Sequence, residues 1–590
     1  MKSLPQKWGL LALTLFTFFL LLGSRSLNEP DEGRYSEIAR EMVETGNWLV
    51  PHLWYLPHLD KPPMTYWLVA ASMRLFGQNE WTARLPVALA GVSGVWAVFL
   101  LGCSLGGRRA GFWSAVILQS SLIYFAMARM LTPDIIVTQF VVWAMYFFWR
   151  SWLCLVGRDY WRAEAQGDIE IRLAGTLAPP NRNFWVWHLA GWLAVALGFL
   201  TKGPIALAIP LVALAALLIF RRREVSAWRI VFAGLIAGFA LFLLLAAPWF
   251  LAVFQRVPES AHYMILGQAA GHLLGTTIKN RPGNPFYFFG ILAAGLLPWT
   301  FLLGWLWRWK TSNTAFRTPR FALTKDGWLL LNVWAIFTFA LFSFSHAKLP
   351  AYILPIFPAL AMMLALRFFG EGRAGESAPR WVWRICLASS LLLPAIFPAL
   401  VKYAFRDALP EWMKWQTPVI AVAALLIVWL ARKWKPSACA AGAVALALLS
   451  LALTIAEIPV FETNLRDNQT LKPLGSALRE NYRPGDAVVC WGRFPQGLPF
   501  YSGTVISATN RPYFGGMDLT LVPFEFPGNR ERLGNFLLPD DNALAQLLAS
   551  NRRVWIVSFG DMAQKVQQDR GGAPLRLVTR VGRWELFSNR

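Results

Sequence analysis

Apolar residues fill most of the first 460 positions in blocks near 20 long, the length that crosses a bilayer as a helix. Thirteen blocks can be drawn: roughly 8–24, 84–104, 110–128, 134–155, 184–201, 203–220, 229–254, 286–307, 327–346, 349–368, 381–402, 416–431 and 437–457. The fifth, sixth and twelfth are short. Alternate loops between them are basic. GGRRAG, 156–183, RRRE, 308–326, RFFGEGRAGESAPRWVWR and ARKWK each carry two or more Arg or Lys. The opposite loops hold Asp31, Lys61, Asp134, Lys202, the 255–285 segment, SHAKLP and 403–415, and are less uniformly basic. The excess of positive charge marks the cytoplasmic side, so the pattern predicts a cytoplasmic N-terminus and puts NEPDEGRYSE, residues 28–37, outside. The N-terminal MKSLPQKWGL has the lysines and apolar run of a signal peptide. Bulky and charged residues follow in place of a small-residue cleavage site, which predicts an uncleaved first helix.

An odd number of crossings also sends the tail outside, and there the pattern changes. Beyond about 462 the apolar runs shrink to strand length (DAVVCWG, RRVWIVSFG, LRLVTRVGRWELFS) between helical stretches such as TLKPLGSALRENY and DNALAQLLASN. This predicts an α/β domain with a small sheet over 462–590, after a transmembrane domain over 1–461. The first outer loop, 25–83, is patterned throughout. SEIAREMVETGNW puts Ile38, Met42 and Val43 on one face with charges elsewhere, as in a helix lying along the membrane interface. A second amphipathic segment begins after Pro62–Pro63, and 255–285 forms a second large outer loop.

Composition agrees with a polytopic helical membrane protein: 590 residues, 56% hydrophobic, only 15% charged, with 31 Trp and 42 Phe. Soluble chains carry about a quarter charged residues, and Trp and Tyr rings concentrate at membrane interfaces. The net charge of +23 reflects the loop bias, so nucleic acid is not expected as a partner. Five scattered cysteines predict no disulfide framework. The tail has no glycine-rich phosphate loop, no nucleophile elbow and no histidine, which argues for binding, positioning or stabilisation there.

The polar residues near the predicted membrane surface carry the functional argument. Glu29, Asp31 and Glu32 open a helical stretch, and each alone reads as a favourable charge at a helix N-terminus. Their companions change that balance. Asp134 in MARMLTPD stands at the same membrane level, and Lys61, Lys202 and Lys348 stand at outer ends of other spans. Snorkelling explains any one lysine. A convergent set of costly charges describes a site for an anionic substrate entering from the membrane.

Together DEGRYSEIAREMVETGNWLVP, HLDKPPMTYWL, LTPD, LTKGP and HAKLPAYILP resemble the bacterial lipid A aminoarabinose transferases and related protein O-mannosyltransferase-like enzymes of the C-type (GT-C) glycosyltransferase superfamily. The resemblance covers about 30–370, and the later spans and outer domain in layout. It implies a GT-C-like inner-membrane enzyme that moves a hexose or pentose from a polyprenyl-phosphate donor to a periplasmic-side acceptor, with inversion. The implied acceptor is lipid A or another envelope glycan or lipid. It further implies that Asp31 and Asp134 are the catalytic carboxylates, that Lys61 faces the donor phosphate, and that Lys348 and Tyr352 form the lysine–tyrosine element of a later outer loop. Arg34, Glu32, Lys202 and His272 complete the expected substrate-binding set. One chain contains all these parts, so a monomer is expected to function. A histidine- and arginine-bearing stretch of the relatives is replaced here by GQAAGH, residues 267–272. The candidate metal ligands are then Asp60 and His262, for zinc or magnesium, with no cofactor required. A lipid-linked sugar flippase, protein O-glycosyl transfer and a structural envelope-docking protein are the competing readings.

Overall fold

The computed structural model describes residues 4–164, 180–222, 225, 228–270, 283–306, 319–370, 379–392, 394–395, 411–462, 470–516, 526–560 and 575–590. Helix α1 (Leu4–Phe19) leads into a first loop that contains α2 (Asp31–Thr45), the two-stranded hairpin β1–β2 (His52–Leu53 and Leu56–Pro57) and α3 (Met64–Phe76). The helical body continues through α4 (Glu80–Gln119), α5 (Leu122–Met127), α6 (Pro133–Glu164), α7 (Pro180–Lys202), α8 (Ile205–Phe220) and α9 (Trp228–Arg256). Later helices cover Pro319–Phe344, Phe357–Phe369, Glu411–Leu430 and Pro436–Glu462.

Among the described residues eight helices are long and apolar enough to span a membrane, or nine if the pair Tyr287–Gly295 and Trp299–Trp305, bent by 116°, is one span. The chain is thus a polytopic helical membrane protein. The thirteen blocks of the pattern reduce to this smaller number for visible reasons. The first and sixth correspond to short apolar helices, Lys7–Phe19 and Ile205–Phe220. The second block and the first part of the third lie together in α4, which is a helix pair broken at Gly106 and Gly107. Gly107 takes φ +83°, and a Cβ on Gly102 would stand 2.9 Å from the Cα of Gly111, so the two arms fold back side by side. Much of the eleventh block falls outside the described residues. The outer helices show what faces lipid: Phe232, Ile236, Phe239 and Leu244 on α9, and Val419, Val422, Leu425 and Trp429 on Glu411–Leu430, are exposed apolar side chains.

The C-terminal unit is a five-stranded mixed sheet in the order β4–β3–β5–β7–β6. Its strands are β3 (Ala487–Trp491), β4 (Tyr513–Gly515), β5 (Val554–Phe559), β6 (Arg576–Val581) and β7 (Trp584–Ser588). Strand β3 pairs parallel with β4 and β5, while β7 runs antiparallel between β5 and β6. Every residue of β3 is buried, which suits its continuous apolar run better than an alternating strand would.

This unit packs on the first loop, where the polar face of α2 meets protein. Glu32, Glu37, Arg40 and Glu41 on α2 are all buried. Arg40 donates to both oxygens of Glu37 at 2.8 and 2.7 Å and to Glu44 at 2.7 Å, while Glu41 accepts from the backbone N–H groups of Trp54 and Tyr55 at the hairpin tip. Over that tip lie Phe494 and Phe514 of the C-terminal unit, each with its ring about 5 Å from Trp54. Trp54 donates through Nε1 to the carbonyl of Gln496, Gln78 to that of Phe500, and Asn529 to that of Pro57. Leu27 N–H donates to the Tyr501 hydroxyl at 2.7 Å. First loop and C-terminal unit therefore share one core, and both lie on the same side of the helical body. A buried charge is stable only when paired and hydrogen-bonded. The α2 polar face meets that condition under a protein cover.

Candidate active site

The first turn of α2 begins at Pro30, which makes no side-chain cap, so none of the three acidic residues at this turn acts as a side-chain N-cap. Asp31 pairs with Arg34 at 2.5 Å; its side chain is 51% exposed and that of Arg34 only 13%. Arg34 lies over the Tyr35 ring at 5.5 Å, and Tyr35 stacks on Tyr66 at 5.5 Å. Burial works against the Arg34 charge, but Asp31, Tyr35, Asp60 and Tyr66 together hold its proton affinity above the ordinary value. Burial raises the Tyr35 phenol, with Tyr66, Asp31 and Asp134 adding to the effect. Arg34 is thus in electrostatic reach of Asp31, Asp60 and Tyr66, and Tyr35 of Asp31 and Asp134.

Asp134 is held there by α6, whose first turn follows directly on the LTP corner. It forms an ion pair with Lys202, the last residue of α7, and the Lys202 ammonium sits 4.4 Å from the centre of the Tyr352 ring. Asp60 accepts from the Tyr263 hydroxyl at 2.6 Å and lies 3.6 Å from Nε2 of buried His58. Lys61 donates to the Asp60 carbonyl at 3.0 Å.

Two expected substrate contacts take a different role. Glu32 is 1% exposed and accepts from Arg25 at 2.9 and 3.1 Å, from Arg84 twice at 2.8 Å, and from the N–H groups of Asn28 and Leu131. Burial pushes its carboxyl up, but the two guanidiniums overcome that and hold it well below the usual range. Its lone pairs are spent joining the Asp31 turn to the loop that carries Asp134. Lys348 is buried and donates to the carbonyls of Phe342, Ser343 and Ser345 at 3.3, 2.8 and 2.9 Å. An ammonium has three protons, and here all three cap the C-terminal end of Pro319–Phe344 and the turn after it.

His262 is exposed, and His272 lies outside the described residues. Among the described residues no group of three or more His, Cys, Asp or Glu could hold a metal. The Asp60 carboxylate faces His58 and Tyr263. Such a pair falls short of the three or four protein ligands that zinc takes, so the described donor set does not fit a zinc site.

The pattern also passed over residues that build the site. Arg84 donates to the carbonyls of Leu22, Arg25 and Ser26 as well as to Glu32, and Arg129 donates to those of Thr17, Phe18 and Leu20. Both tie the end of α1 to the loops around the site. Their signal was present: single arginines in the apolar stretches WTARLPVAL and FAMARMLTPD, where an unexplained charge is expensive. Glu29 is buried with its Oε1 2.7 Å from the N–H of Gly497 in the C-terminal unit. Burial pushes its carboxyl up to about 8, against the pull of the Gly497 and Gln496 N–H groups.

Residues 60–162 match the family model described as dolichyl-phosphate-mannose-protein mannosyltransferase. Over 365 residues the chain is 32% identical to an undecaprenyl phosphate-alpha-4-amino-4-deoxy-L-arabinose arabinosyl transferase of Aeromonas hydrophila, covering 61% of this chain and 59% of that one. Over 417 residues it is 31% identical to the protein of the same description from Aeromonas salmonicida, covering 68% of each. The match to the Aeromonas hydrophila relative thus spans less than two thirds of its length. The fold is that of ArnT from Cupriavidus metallidurans, solved bound to undecaprenyl phosphate: TM-score 0.76, 22% identity, 100% of this chain and 98% of that one.

Proposed function

Since this chain belongs to the undecaprenyl phosphate-aminoarabinose arabinosyl transferase family of GT-C membrane glycosyltransferases, we propose that it moves an amino sugar, 4-amino-4-deoxy-arabinose, from undecaprenyl phosphate to lipid A or a related envelope acceptor. The observation that carries this reading is the half-exposed Asp31 held beside Arg34, on a turn that Glu32 ties to the loop leading into the Asp134–Lys202–Tyr352 group.

In the reaction an acceptor oxygen forms a bond to the anomeric carbon while the bond from that carbon to the donor phosphate oxygen breaks. Polyprenyl phosphate leaves with the electron pair and gains negative charge. Lys202, Arg34 and Lys61 neutralise it. Asp31 takes the proton when the acceptor is a hydroxyl. An acceptor phosphate needs no base, and Asp31 then orients it and stabilises the cationic sugar centre. Attack from the face opposite the leaving phosphate inverts the anomeric carbon.

The same reading puts the first loop and the C-terminal unit on the periplasmic face of the inner membrane, with the N-terminus cytoplasmic and a single chain sufficient for activity. It is supported by the basic alternate loops and by the packing of the two outer segments on one another.

The test uses the full chain in nanodiscs with undecaprenyl-phosphate aminoarabinose and lipid A, read by mass spectrometry. We expect lipid A to gain one aminoarabinose, and Asp31→Asn to lose transfer by about 10²- to 10⁴-fold, the range for a positioned base, while remaining folded. Movement of the donor across the bilayer without acceptor modification overturns the reading in favour of a flippase. Unchanged transfer by Asp31→Asn removes Asp31 from the chemistry.

A further inference from the structure

Two arginines of the C-terminal unit have no part in the reaction above. The Arg493 guanidinium carbon lies 4.2 Å from the centre of the Phe559 ring, and that of Arg583 lies 4.7 Å from the same ring. Trp584 braces Phe559 edge-on at 4.8 Å and stands 5.9 Å from Arg493. One aromatic platform thus holds two exposed guanidiniums. Cation–π contact fixes their planes but uses none of their N–H donors.

Nothing described on the protein neutralises this pair. The neighbouring acid, Glu585, is taken by Arg580 at 3.0 Å, and among the described residues neither Arg493 nor Arg583 has a carboxylate within ion-pair distance. Desolvation of the Arg493 guanidinium by its surroundings and the charge of Arg583 lower its proton affinity, against the pull of Glu29. The backbone makes room for the arrangement at Gly560. There φ is +59°, a Cβ would stand 2.6 Å from Nη2 of Arg583, and the N–H donates to the Arg583 carbonyl at 2.7 Å. Like charges held on one ring repel unless an anion joins them.

Arg493 also stands in the turn that packs against the segment carrying Asp31. Arg493 opens the turn that ends at Gly497, whose N–H is bonded to Glu29, two residues before Asp31. Planar guanidinium forks match the oxygens of a phosphate group bidentately. We propose that Arg493 and Arg583 form an anion site for a second phosphate of a multiply phosphorylated acceptor, holding it while another of its groups is glycosylated. The inference rests on the proposed transferase reading and adds to it a determinant of acceptor choice.

The experiment compares the full chain with the Arg493→Gln/Arg583→Gln variant in nanodiscs of neutral phosphatidylcholine, using bis-phosphorylated and mono-phosphorylated lipid A. For wild type we expect KM lower for the bis-phosphorylated acceptor by about tenfold, in line with loss of one charge-assisted contact. The double variant should raise that KM by a similar factor, erase the preference, and leave kcat and the KM for donor unchanged. Arg493→Lys/Arg583→Lys should recover part of the preference. Unchanged acceptor KM in a double variant that melts like wild type overturns the site, and so does a change confined to kcat or to donor KM. A second arm replaces part of the neutral lipid with phosphatidylglycerol. Stimulation that depends on the arginines without any acceptor preference assigns the phosphate to a lipid headgroup and overturns the acceptor role. Absence of any product from wild type sinks the transferase reading itself, whereas product with unaltered KM sinks only this inference.

Discussion

Asp31 and Glu32 are neighbours in the chain and opposites in surroundings. Glu32 sits in a closed node where Arg25, Arg84 and two backbone N–H groups saturate its oxygens. Asp31 pairs, among the described residues, with Arg34, and half of its side chain is open. One helical turn thus divides structure from chemistry. The closed node fixes where α2 begins and ties it to the Asp134 loop. The open carboxylate keeps lone pairs that a substrate can use.

The contrast predicts opposite failures. Asp31→Asn costs turnover, by the two to four orders of magnitude given above, and leaves melting nearly untouched. Glu32→Gln should cost stability instead, because it leaves Arg25 and Arg84 as uncompensated buried charges. Breaking a buried ion pair costs about 3–5 kcal/mol, which thermal melting or yield of folded protein in detergent will show. Turnover per folded molecule should fall less than for Asp31→Asn. Equal melting of wild type and Glu32→Gln would refute the closed node. Acid gives a parallel check. The folded Glu32 carboxyl is depressed, so its contribution is present above its unfolded value near 4.5 and is lost as pH falls through the folded one.

Glu29 sharpens the comparison with the opposite sign. Its folded carboxyl is raised to about 8 from 4.5 by burial. The docking it supports is therefore complete below about pH 4.5 and is lost progressively as pH rises toward 8. Glu29→Gln keeps an acceptor for Gly497 and removes the ionisation. The variant should melt increasingly above wild type from pH 5 to 8, with a constant gap beyond. A pH-independent gap would show that ionisation of Glu29 is not involved. The smallest effect is expected at Lys348. Replacing it with Met should cost about 1 kcal/mol, the scale of a cation at a helix C-terminus, and leave the KM for donor unchanged. A large rise in that KM would return Lys348 to the donor site.

Much of the site was legible because its residues stand in short, unusual strings. DEGRY, HLDKPP, LTPD, LTKGP and HAKLPAYILP single out Asp31, Arg34, Lys61, Asp134, Lys202 and Tyr352 as candidates from sequence alone. Their side-chain partners were not legible, since a polar residue was assumed to point at water or substrate. Glu32, Glu37, Arg40 and Glu41 instead point at protein in and around the first loop, and it is Glu29 and Trp54 that reach Gly497 and Gln496 in the C-terminal unit. The carbonyl contacts of Lys348 were not legible, because nothing in SHAKLP tells a helix-capping ammonium from one that faces a phosphate. Strands β3, β5, β6 and β7 fall in the short apolar runs because sheet residues declare themselves locally. Helix count was harder to read: a glycine pair turns α4 back on itself, and a pair of short helices bends by 116°.

The bond from Gly497 to Glu29 joins residues 468 apart. During synthesis the reactive turn therefore emerges among the earliest segments and waits for a partner that is made hundreds of residues later. Until the C-terminal unit has docked, Glu29 lacks the Gly497 amide. Closure of this turn is thus a mark of synthesis carried past Gly497: a chain stopped before it cannot close its own beginning.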